Sequence, residues 1–79
     1  VNAKKLISKY PDLRSTAEQL AHAEDFSNRD IGARDEVPEL ERVFRRELVL
    51  ALVLEGLPLT TEVMQRAWDE IIEEVRNVS

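Results

Sequence analysis

The single imidazole of the chain, His22, follows Glu18 by one helical turn, which puts a carboxylate within reach of its protonated form. Nothing around this pair completes a reaction. Ser8, Ser15 and Ser27 have no Gly-x-Ser-x-Gly turn and no partner imidazole, so nucleophilic catalysis lacks its base. Acidic side chains are plentiful, but none has the spacing of a calcium loop, and one histidine does not make a transition-metal site. With no cysteine there is no thiol nucleophile, zinc knuckle or disulfide framework. No Gly-rich loop followed by Lys is present to cradle a phosphate. The residue inventory therefore implies no metal, no cofactor and no autonomous enzyme; His22 reads as an exposed or partly packed side chain.

Charge is the more informative chemistry. Eleven Lys and Arg against sixteen Asp and Glu give a net −5. Within residues 60–76, Glu62, Asp69, Glu70, Glu73 and Glu74 face only Arg66 and Arg76, while positive charge gathers at Arg42, Arg45 and Arg46. A carboxylate row such as Glu70, Glu73 and Glu74 is the solvated face of an amphipathic helix, and is also a surface that a basic partner would recognise.

The elements that position these groups are helices. Pro11, Gly32, Pro38, and Gly56 with Pro58 punctuate the chain, and the apolar residues between them recur at three- and four-residue spacing rather than alternating. A first short helix, roughly residues 2–9, sets Ala3, Leu6, Ile7 and Tyr10 on one face before Pro11 ends it. Ser15 and Glu18 form a capping-box pair, predicting a second helix from Thr16 to about Glu24 with Ala17, Leu20 and Ala21 inward. Residues 25–37 are polar and turn-rich and read as a loop, with Pro38 in the first turn of a third helix that Gly56 caps.

That third helix carries Leu40, Val43, Phe44, Leu48, Ala51 and Leu52 at helical spacing, and from Leu48 to Leu54 it is apolar all round. Its second half is expected either at the centre of the core or beneath another chain, which makes Leu50, Leu54 and Leu57 contact candidates. Thr60 or Thr61 caps a last helix with the stripe Val63, Met64, Ala67, Trp68, Ile71, Ile72 and Val75. The expected fold is a compact, all-α, four-helix single domain spanning residues 1–79, with a C-terminal antiparallel helical hairpin about Gly56–Thr60. Its core is expected to hold Leu20, Phe44, Leu48, Leu52, Met64, Ala67, Trp68, Ile71 and Ile72. The longest apolar run, Leu48–Leu54, is far below the roughly 20 residues of a membrane span, so a soluble cytoplasmic protein is expected.

Leu20, Ala21, Phe26, Ser27 and Ile31 have the spacing of a helix-turn-helix DNA reader, with Asp25 at the turn position that usually holds glycine. The would-be recognition segment, Ser27–Glu36, balances Arg29 and Arg34 against Asp30, Asp35 and Glu36, and neutralising phosphates needs net positive charge. Nucleic acid is therefore a disfavoured partner.

The segment Glu47–Ile71 (ELVLALVLEGLPLTTEVMQRAWDEI) resembles the last two helices of the α-helical lid of AAA+ ATPases, with Gly56, Thr60, Val63, Ala67 and Ile71 at the matching places. Upstream, Leu20, Ala21, Phe26, Ser27, Asp30 and Ile31 resemble the lid's "LA … FS … DI" segment, and Gly32–Ala33–Arg34 resembles its sensor-2 triplet. The resemblance implies that Arg34, or else Arg29, reaches an ATP phosphate held by a separate core domain. ATP enters only in that larger setting.

Three functions follow as expectations. The first is a non-catalytic helical protein-interaction module, in its most specific form the AAA+ lid, acting through a protein partner or as a homo-oligomer by way of Leu50, Leu54, Leu57 and Trp68. The second is a small acidic inhibitor or decoy that covers a basic surface of a nucleic-acid-handling enzyme with Glu70, Glu73 and Glu74. The third is DNA binding.

Overall fold

In the computed structural model, residues 2–26 and 31–78 are described, and at positions 26, 31–35 and 78 the backbone alone. Helix α1 spans Ala3–Lys9, α2 Pro11–Phe26, α3 Ile31–Leu54 and α4 Thr61–Val78, with no strand among the described residues.

Asn2 caps α1 by accepting the Lys5 amide at 3.1 Å. Tyr10 then serves two helices. Its amide donates to the Leu6 carbonyl and closes α1, while its carbonyl accepts the Arg14 amide and opens α2. Pro11 forces Tyr10 into the extended region (φ −119°, ψ 91°) and is itself well placed at the first helical position, where an amide would have been an orphan.

Helix α2 thus starts five residues before Thr16, and the expected capping box does not form. Glu18 instead meets Arg14 at 2.9 Å one turn away, the Ser15 hydroxyl accepts from Gln19, and the Thr16 hydroxyl donates to the Asp12 carbonyl. Burial decides the boundary. The extra turn and a half brings Leu13, only 1% exposed, into line with Ala17 and Leu20, whereas a cap contributes about 1 kcal/mol.

Helix α3 also begins earlier than expected, at Ile31, so that Pro38 lies inside it and residues 31–37 are helical rather than loop. An interior proline forfeits one backbone hydrogen bond and crowds the preceding turn. Pro38 is exposed, so the bereft carbonyl can be hydrated, and continuity lets Val37 and Leu40 pack on the core from either side of it.

The end of α3 is a Schellman motif. The Leu57 amide reaches back to the Leu52 carbonyl at 2.9 Å and the Gly56 amide to the Val53 carbonyl at 3.1 Å, with Gly56 at φ 73°. Leu57 then folds onto the core. Helix α4 starts four residues after Leu57, at Thr61, its cap made by the Thr60 hydroxyl accepting the Val63 amide at 3.1 Å.

The core is closed chiefly by Leu13, Leu20, Phe44, Leu48, Leu52 and Ile71, all fully buried. Ala17, Ala21, Ala51 and Ala67 supply the small surfaces that let helices approach, and α2 packs most extensively on α3. Phe44 meets the Trp68 ring edge-on, centroids 4.5 Å apart, which ties the middle of α3 to the middle of α4 and makes the last two helices an antiparallel hairpin. Of the nine expected core residues seven are buried. Met64 and Trp68 are half-buried at its edge.

Candidate interaction surface

Two sides of α3 do different work. Phe44, Leu48, Ala51 and Leu52 face inward, leaving Leu50, Val53 and Leu54 at 50%, 55% and 70% exposure and Val43 at the margin. At 100° per residue, Val53 and Leu50 lie opposite the buried row, with Val43 and Leu54 on one flank and the partly buried Val49 on the other. One turn upstream, Arg45 and Arg46 stand on either side of the Val49–Val53 line, both exposed. Among the described residues neither forms an ion pair, whereas Arg42 meets Glu39 at 3.4 Å with both side chains in solvent.

The expected contact residues fall into three groups. Leu50 and Leu54 are exposed as anticipated, and Val53 and Leu59 join them as large apolar side chains in water. The all-round apolar run from Leu48 was the signal for Val53; Leu59, in the inter-helix turn, had none. Leu57 and Trp68 are half-buried because each has an internal task, the Schellman contact and the Phe44 ring. Glu70, Glu73 and Glu74 come together with Asn2, Lys4 and Asn77 around an open cleft of about 600 Å³ between α1 and α4. One Glu70 oxygen there is covered without a hydrogen-bond partner.

A second groove, about 500 Å³, runs between α2 and α4 past Arg14, His22 and Val75. Its end is clamped by Arg76, which reaches Glu24 at 3.0 Å and Asp25 at 3.3 Å. His22 is exposed, and Glu18 is engaged by Arg14. Arg29 lies outside the described residues, as does the side chain of Arg34, whose backbone belongs to the first turn of α3. The DNA-reading segment Ser27–Glu36 is likewise described only from Ile31 onward, as part of one 24-residue helix.

One cluster had no sequence signal because its members are 45 residues apart. Glu55 Oε2 accepts from Lys9 Nζ at 2.8 Å and from the Tyr10 hydroxyl at 3.0 Å, fastening the end of α1 to the end of α3. The Lys9 and Tyr10 hydrogen bonds hold the Glu55 carboxyl below its usual range, and the same Glu55 contact raises Lys9. Partial burial, followed by the Glu55 bond, raises Tyr10.

Among the described residues no group of three potential ligands could hold a metal ion, and no helix is long and apolar enough to cross a membrane. No protein-family model, curated protein or solved structure matches the chain. Its functional reading rests on the surfaces just described.

Proposed function

We propose that the chain is a non-catalytic helical module that binds protein through the outer side of α3. The observation that carries this reading is the run Leu50, Val53 and Leu54, each half or more exposed on an ordered helix whose opposite side is already packed. Removing such half-exposed side chains from water contributes about 1 kcal/mol each, enough for a cluster of them to anchor a partner. Sedimentation and affinity capture of the wild type beside L50E/L54E test it. The expected result is one stoichiometric partner, or a second copy of the chain, retained by the wild type and lost in the folded variant. A wild type that sediments as a monomer and retains nothing the variant does not would overturn the reading.

In its most specific form the module is the lid of an AAA+ ATPase. Support comes from the helix, Gly56 cap, Thr60 cap and helix of residues 47–71. Arg34 then senses a phosphate of ATP bound to a core domain. Arg34→Ala in the parent ATPase is expected to slow ATP turnover without unfolding this domain; unchanged turnover removes the lid form alone.

The cleft of Glu70, Glu73 and Glu74 favours a second reading, an acidic decoy for a basic surface. Its partner would dissociate steeply as salt rises, and insensitivity to ionic strength would eliminate it.

A further inference from the structure

The outer side of α3 is divided along its length, and the division specifies a partner more narrowly than "protein". We infer that its occupant is an amphipathic helix of another protein, with carboxylates facing Arg45 and Arg46 and apolar residues covering Val49, Leu50, Val53 and Leu54. The inference rests on the interaction reading proposed above.

Val49 and Val53 form a seam, and Arg45 and Arg46 flank it one turn upstream with no ion pair among the described residues. A helix laid along such a seam places its own flanking residues against those two guanidiniums. Carboxylates there would gain planar, charge-assisted bonds next to surface that becomes dry on binding. From Arg45 to Leu54 the row rises about 14 Å, two and a half turns of a partner helix.

A second copy of the chain does not meet this requirement. Parallel pairing of two α3 helices sets Arg45 and Arg46 beside their own counterparts. Antiparallel pairing centred on the apolar run lays them over residues 56–57 of the other copy, past the end of α3, and neither those residues nor 48–54 contain any charge. The next carboxylate, Glu55, is already held by Lys9 and Tyr10. Helix α4 is acidic, but Ala67, Ile71, Ile72 and Val75 are buried in its own domain, so a second copy cannot offer it as apolar cover.

The test is a titration of the full chain with two synthetic helical peptides of about 18 residues, about 27 Å long, sharing one leucine seam. One carries glutamates on both flanks of the seam, the other lysines. The chain's net −5 favours the lysine peptide at long range, so a preference for the glutamate peptide isolates the local effect of the two arginines. Fluorescence anisotropy near physiological salt, where the screening length is about 8 Å, is expected to show the glutamate peptide binding about 10-fold tighter. R45E/R46E should reverse the order, and L50E/L54E should abolish binding of both; all four changes are at exposed positions, and circular dichroism confirms that the variants fold. Equal affinities, a lysine preference or no binding of either peptide overturns the inference. So does self-association abolished by L54E, or adsorption to phosphatidylserine vesicles abolished by R45E/R46E. The broader reading survives a lysine preference, equal affinities or self-association, and falls with it when neither peptide binds and the chain also remains monomeric and retains no partner.

Discussion

The Lys9 ammonium lies 2.8 Å from the Glu55 carboxylate, whose side chain is only 14% exposed, and the same oxygen accepts the Tyr10 hydroxyl. A carboxylate at a helix C-terminus opposes the local dipole. Here the docked end of α1 supplies the two donors that offset it.

The pH dependence follows from this contact. Glu55 is held below its ordinary 4.5, so it contributes stability that is complete above that value and is lost as pH falls through its lower folded value. Lys9 is held above 10.5, so its contribution is present below that value and fades as pH rises through the folded one. Across neutral pH both are in place. Melting curves of the wild type and Glu55→Gln should therefore differ most near neutrality and draw together as pH falls below 4.5. A gap that persists unchanged into acid would contradict the assignment.

Gly56→Ala tests the Schellman cap. A Cβ at this position meets nothing within 4 Å, so the penalty is that of holding an L-residue at φ 73°. The expected loss is about 1 kcal/mol, a fall in melting temperature of about 4–8 °C for a domain of this size. Gly56→Asn should lose less, because asparagine enters the left-handed region more readily.

Pro38→Ala distinguishes the two starts of α3. Were Pro38 at the first helical position, alanine there would change little. Inside a helix that begins at Ile31 it restores a backbone hydrogen bond and relieves crowding. Urea unfolding should show stabilisation of about 1 kcal/mol or more; no gain would argue that the helix does not continue through residue 38.

Phe44→Leu should lower stability by about 1–2 kcal/mol, from lost volume and the lost edge-to-face contact. The single Trp68 makes this visible, since its ring loses one wall and its emission should move to the red. Phe44→Ala, at about 3–5 kcal/mol, would consume most of the stability of a domain this small.

What the sequence made legible was periodicity. Phe44, Leu48, Leu52 and Ile71 declare the core by their spacing, and Gly56 and Thr60 mark the hairpin because each residue type matches one backbone task. The starts of α2 and α3 were hidden for a shared reason. At Ser15 and at Pro38 a local preference for a helix start competes with long-range burial, of Leu13 in one case and of Val37 and Leu40 in the other, and only the fold reveals the outcome. The Lys9–Tyr10–Glu55 cluster was invisible because no local rule links residues so far apart. On the candidate surface, Leu50 and Leu54 were readable from the all-round apolar run, but the run alone could not say which of its sides would stay in water.

Helix α3 also sets the scale of the molecule. Twenty-four residues make a rod of about 36 Å, and the longest dimension of the whole domain is 38 Å. One element therefore reaches from end to end; α2 packs along it most extensively, while α1 and α4 pack mainly on α2 and on each other. A ligand that covers Leu50–Leu54 touches the one element that runs the length of the molecule, and Pro38 is the only interior position of that element that cannot donate a backbone hydrogen bond.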